Sequence, residues 1–131
     1  AGAMAASDTP GASAGEFDAI RDAVRGFAAE RQWEPFHSPK NLAMALAGEA
    51  GELVAVFQWL TEAGSRELTP SQRQAAADEI ADVQLYLVAL ADQLGLDIPA
   101  AVAAKMRKNA LKYPAERFRG SARKYNDESG R

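Results

Sequence analysis

Gly48-Glu49-Ala50-Gly51-Glu52-Leu53 and Asp78-Glu79-Ile80-Ala81-Asp82-Val83 are the stretches whose reading decides this chain. In each, two acids stand three residues apart, Glu49 with Glu52 and Glu79 with Asp82. That spacing puts both acids of a pair on one side of a helix. Leu, Val and Ala surround them rather than a charged run. Around the first pair, Leu42, Leu46, Glu49, Leu53, Val56 and Leu60 recur at alternating steps of four and three, an apolar seam with Glu49 where a leucine is expected. Around the second, the expected seam is Ala76, Ile80, Val83, Leu87, Leu90 and Leu94, flanked by Glu79, Asp82 and Tyr86. Antiparallel packing of the two helices lets the pairs face each other beside the seam. The 26 residues between Glu52 and Glu79 suffice for the end of one helix, a turn and the start of the next. Two like charges about 4 Å apart repel by roughly 4 kcal/mol at an effective dielectric of about 20. A divalent cation is the simplest relief. Either pair alone also occurs as surface decoration; two pairs beside seams on consecutive helices favour a site.

Working outward, the rest of the chain reads as helix and turn. Residues 1–15, rich in Ala, Gly, Ser and Pro, are expected to be a disordered tail, with residues 1–3 a cloning scar before Met4. Nothing there has the pattern of a signal peptide. Phe17, Ile20, Val24 and Phe27 predict a first helix from about Glu16 to Arg31. A polar-aromatic loop, residues 32–37, follows. Ser38-Pro39 supplies the N-cap and first position of the second helix, expected to reach about Glu62. Gly64-Ser65-Arg66 reads as a turn. Thr69-Pro70-Ser71-Gln72 is a capping box opening the third helix, which runs to Leu94 with Gly95 just beyond its end. Asp97 caps a fourth helix that stops near Tyr113, because Pro114 follows. Residues 16–113 are thus expected to form one all-α domain, and 114–131 a basic, irregular C-terminal segment. Residues 83–91 are apolar almost all round, which in so short a chain implies a second subunit and an obligate homo-oligomer.

Composition narrows the chemistry. The 131 residues suit one domain with one core, and 47% are hydrophobic. With no cysteine, disulfide scaffolds, zinc ribbons and thiol nucleophiles are excluded, in keeping with a cytoplasmic location. The single histidine, His37, excludes multi-histidine zinc sites. No apolar run approaches the roughly 18 residues of a membrane span. Residues 105–124 hold eight Lys or Arg and one acid, about +7 in a chain of net charge −3. That segment reads either as a solvated basic face or as a clamp for phosphates. A nucleic-acid polymer fits less well, because the acidic remainder repels it. Three Glu and one Asp without nitrogen suit Mg²⁺ or Mn²⁺. Di-iron bundles use Glu-x-x-His pairs, absent here.

The two carboxylate stretches resemble the metal motifs of the all-α nucleoside triphosphate pyrophosphohydrolases, the MazG-like superfamily, whose pattern is E-E-x-x-E followed by E-x-x-D on the next long helix. The dCTP pyrophosphatase branch is the nearer likeness. It extends over Phe27-Ala28-Ala29-Glu30-Arg31-Gln32-Trp33, Phe36-His37-Ser38-Pro39-Lys40-Asn41-Leu42, Val56-Phe57-Gln58-Trp59, Tyr86-Leu87-Val88-Ala89-Leu90-Ala91, Lys105-Met106, Asn109, Tyr113-Pro114 and Arg119-Gly120-Ser121-Ala122-Arg123-Lys124-Tyr125. The first Glu of E-E-x-x-E is Gly48 here, and Val24 stands where relatives have a polar residue near the base.

The resemblance implies a four-helix MazG-like bundle whose second and third helices carry the metal site, assembled as a homotetramer or dimer. It implies hydrolysis of dCTP or a modified dCTP between the α and β phosphates, giving dCMP and pyrophosphate. Glu49, Glu52, Glu79 and Asp82 would hold Mg²⁺, with Glu49 or Glu52 acting on the attacking water. Trp33, His37 and Trp59 look like the base pocket. Tyr86 would lie against the sugar and disfavour a ribose 2′-hydroxyl. Lys105 and Asn109 would contact phosphate and sugar, with Lys124, and secondarily Lys40, adding charge. Tyr113 either joins them or simply closes the fourth helix. The alternatives are a broader dNTP or dUTP-type hydrolase, and a non-enzymatic helical module whose acidic face binds a basic partner.

Overall fold

A computed structural model describes residues 15–124. The expectations for residues 1–14 and 125–131 lie outside these. The described chain is helical throughout, with no strand. Its elements are α1 (Glu16–Glu30), a 3-10 turn (Glu34–Phe36), α2 (Pro39–Phe57), α3 (Glu62–Arg66), α4 (Pro70–Gln93), α5 (Ile98–Lys112) and α6 (Ala115–Phe118). No single helix among the described residues is long and apolar enough to cross a membrane.

Local side chains set most of the boundaries. Ser38 Oγ accepts from the Asn41 amide at 3.1 Å and opens α2. Thr69 and Gln72 exchange side-chain-to-backbone hydrogen bonds at 3.2 and 2.9 Å, the capping box of α4. Asp97 accepts from the Ala100 amide at 2.9 Å and opens α5. Gly95, at φ +66°, ends α4 in the left-handed conformation while the Leu96 amide returns to the Ala91 carbonyl at 2.9 Å.

Two boundaries differ from the sequence reading. The second helix does not continue to Glu62. It stops at Phe57, and Thr61 starts the separate α3 by accepting from the Gly64 amide at 2.9 Å. A threonine hydroxyl thus caps a new turn where apolar spacing alone suggested continuity. Past Pro114 the chain is not wholly irregular, since residues 115–118 close one helical turn.

Two compact units divide at Leu96/Asp97. In the first unit α4 packs against α2, its larger contact, and against α1. Leu42 (1% exposed), Ala28, Ala76, Val88, Ala89 and Ala91 are its buried apolar residues. The α2 seam faces inward as expected, with Leu46, Glu49, Leu53, Val56 and Leu60 all half-buried. The expected α4 seam is only partly correct: Ile80 is 56% exposed, and Leu87 and Leu94 are exposed too. Residues 83–91 are apolar almost all round and name no unique face, so periodicity there could not set the rotation. In the second unit Phe118 is buried beneath Tyr113 (ring centroids 4.9 Å apart) and the guanidinium groups of Arg117 and Arg123.

Candidate functional site

The rotation of α4 carries its acids onto α2. One carboxylate oxygen from each of Glu49, Glu79 and Asp82 lies within 4.8 Å of the others, and all three side chains are half-buried. Glu52, one turn beyond Glu49, is exposed and stands outside this trio, yet its carboxyl reaches both Glu49 and Glu79. Asp78 is held apart from the trio by Gln74, whose amide donates to it at 2.9 Å.

Crowding like charges has the expected electrostatic result. Glu49 is pushed up to about 7, first by the hydrogen bond it makes with the Glu52 carboxyl when protonated, then by burial and the Glu52 charge. Glu79 is also raised, chiefly by burial, with the Glu52 and Asp82 charges adding and a hydrogen bond from Glu49 opposing. Glu49 Oε2 and Glu79 Oε2 are buried without a hydrogen-bond partner. Buried carboxylate oxygens normally find donors. Two orphaned oxygens on facing helices, in an all-oxygen donor set, fit a hard divalent cation.

A second cluster forms where α1 ends. The Arg31, Gln32 and Trp33 amides fold back onto the Ala28 and Ala29 carbonyls at 3.0–3.2 Å, and Gln32 takes φ +53°. This is a Schellman-type turn with glutamine where glycine is usual. It throws Trp33 back against Phe27, centroids 5.7 Å apart and edge-on, while His37 meets Trp33 at 6.4 Å. Asn41 Nδ2 donates to the Phe36 carbonyl at 3.1 Å and ties this loop to α2. The Arg31 guanidinium lies 3.5 Å from the Phe27 ring centroid.

Trp33 and His37 are therefore brought together. Trp59 follows α2, is 88% exposed, and has no ring contact among the described residues. Tyr86 is half-buried on α4, one turn beyond Asp82. Lys105, Asn109 and Lys124 belong to the second unit; Lys105 and Asn109 are one turn apart on α5, Asn109 half-buried, and Lys124 is exposed beyond α6. Lys40 is exposed in the first turn of α2. Phe27 and Arg31, to which the sequence reading gives no site role, join this cluster, and their four-residue spacing at the end of α1 is the signal that pairs them.

An all-α chain with two acid-bearing helices facing each other defines a class of helical carboxylate-site proteins. Residues 45–127 match the MazG-like family, and the chain belongs to it. It is 52% identical over 110 residues to mouse (Mus musculus) dCTP pyrophosphatase 1 and 49% identical over 110 residues to the human (Homo sapiens) protein of that name. Each match covers 82% of this chain, and the chain spans about 65% of the length of these curated relatives. Its fold resembles the crystal structure of a pyrophosphatase from Archaeoglobus fulgidus, with TM-score 0.72 and 36% identity over 76% of this chain and 94% of that one.

Proposed function

We propose that the chain is a divalent-metal-dependent nucleoside triphosphate pyrophosphohydrolase that converts dCTP, or a base-modified dCTP, to dCMP and pyrophosphate in nucleotide-pool housekeeping. The observation that carries this reading is the convergence of three acids, Glu49 of α2 with Glu79 and Asp82 of α4, two of which hold a buried, unpartnered carboxylate oxygen. The named activity of the mouse and human relatives supports the substrate.

Glu49, Glu52, Glu79 and Asp82 would hold Mg²⁺, with Mn²⁺ a workable substitute. When bound, the cation supplies neutralisation of the triphosphate and of the charge that develops at the attacked α-phosphorus and the leaving pyrophosphate. The chain's own residues divide the remaining work. Glu52, outside the tight trio and open to solvent, orients the attacking water and takes its proton. Trp33 and Trp59 offer indole faces for stacking a base, and His37 adds a polar contact. Tyr86 sets its ring beside the sugar and disfavours a 2′-hydroxyl. Lys105, Asn109 and Lys124, with Lys40, supply phosphate and sugar contacts.

The assembly is a homo-oligomer, a tetramer or dimer, in the cytoplasm. The exposed Ile80, Leu85 and Leu87 of α4, with Leu94 just past its end, support it, because so much apolar surface needs a covering.

The reading is tested by a panel of deoxynucleoside and ribonucleoside triphosphates, including 5-substituted dCTP analogues, followed for pyrophosphate release. We expect the cytosine deoxynucleotides to give the highest kcat/KM, and Glu52→Gln to abolish turnover. Full activity in Glu52→Gln would sink the site assignment; equal turnover of all bases would sink the dCTP assignment.

A further inference from the structure

The end of α1 holds an arrangement that the chemistry above leaves unused. Arg31 curls back over its own helix. Its Nη1 donates to the Phe27 carbonyl at 3.2 Å, and its guanidinium carbon lies 3.5 Å from the Phe27 ring centroid and 5.9 Å from that of Trp33. Phe27 in turn meets the Trp33 indole edge-on at 5.7 Å, and Trp33 meets His37 in the same manner. Phe27 is 51% exposed and Trp33 44%, so core packing does not hold either ring. Left alone, a half-exposed indole on a loop samples several rotamers, and each costs entropy when a ligand selects one.

Arg31 supplies the missing wall. A planar cation over an aromatic face is attracted by the ring quadrupole, and its carbonyl hydrogen bond fixes where that plane lies. Phe27 is then held between the guanidinium and the indole edge. The φ +53° turn at Gln32 sets the direction in which Trp33 leaves the helix. Cation, ring and turn together confine the indole without touching whatever stacks on its free face.

We propose that Arg31, acting through Phe27, is a positioning residue for Trp33 that preorganises its indole for the base. The inference rests on the reading of Trp33 as a base-stacking residue. Because the base lies away from the bond that breaks, the role is one of binding, seen in KM more than in kcat.

The test is steady-state kinetics on dCTP with Arg31→Met, which keeps a flexible stem and removes the planar cation, and with Arg31→Lys, which keeps the charge. We expect Arg31→Met to raise KM about three- to fivefold with kcat within about twofold, and Arg31→Lys to recover part of the loss. In a Trp33→Ala background the Arg31→Met effect should vanish, since the residue acts through the indole. The chain has two tryptophans, so Trp59→Phe leaves Trp33 as the sole indole. In that background Arg31→Met should lower the fluorescence anisotropy of Trp33 in nucleotide-free protein. An unchanged KM in Arg31→Met, or a KM effect that persists without Trp33, overturns the positioning role while leaving the base pocket standing. An unchanged KM in Trp33→Ala overturns the pocket reading itself, and this inference with it.

Discussion

Glu49 takes much of the strain of the site at the scale of single residues. Its carboxyl is pushed up to about 7 from an ordinary 4.5, with the Glu52 carboxyl as the largest cause. Between those values the folded, cation-free protein holds a proton that the unfolded chain has already released. Stability therefore falls as pH rises from about 4.5 to about 7, and levels off above. Mg²⁺ should reverse the loss at pH 8, because it relieves the same repulsion. Thermal melts of wild type and Glu49→Gln in EDTA check this: the wild-type Tm should decline across the window, and the variant's should decline less steeply, by what the raised Glu79 carboxyl still contributes. Parallel curves for the two proteins would contradict it. The carboxylate pairs were legible in sequence because acids at apolar-seam spacing are chemically out of place. That Glu52 stands apart from the trio was not legible, because spacing fixes which side of a helix an acid occupies but not how far its side chain reaches. The packing of Trp33 against Phe27 was hidden for a related reason: it depends on a left-handed turn at Gln32, which composition does not announce.

Among the elements, α4 is held from two sides. Its acids face α2, and Asp92 anchors it to α1 through a two-pronged pair with Arg25 at 2.8 and 2.5 Å. Asp92 is mostly buried, and the Arg25 hydrogen bonds hold its carboxyl below the usual 3.8. A depressed carboxyl stabilises the fold above its unfolded pKa, and that contribution is lost as pH falls through the lowered folded value. Arg25 is largely exposed, so solvent screens the pair, and Asp92→Asn should cost about 1 kcal/mol at pH 7. Urea unfolding of the two proteins checks this; the gap should close under strongly acidic conditions, and a gap independent of pH would assign the loss to packing instead. Helix starts were legible because Ser38, Thr69 and Asp97 are strong caps. The rotation of α4 was not. Residues 83–91 are apolar almost all round, so their pattern names no single inward face, and the residues that α4 buries are Ala76, Val88, Ala89 and Ala91.

At the scale of the whole molecule, the first unit leaves large apolar side chains outside, and so does the second, where Val102, Met106 and Leu111 are exposed on α5. The homo-oligomer proposed above would cover such surface, and the apolar stretch 83–91 seen in the sequence motivates the same proposal. Chemically, the proposal is that Glu49, Glu52, Glu79 and Asp82 hold a divalent cation at which one particular phosphoanhydride of dCTP is cleaved. Phosphorus NMR of dCTP incubated with the protein measures this most directly. With Mg²⁺ the spectrum should show dCMP and pyrophosphate growing together, and with EDTA it should show unchanged dCTP. The appearance of dCDP and inorganic phosphate, or pyrophosphate release that persists in EDTA, would contradict the account.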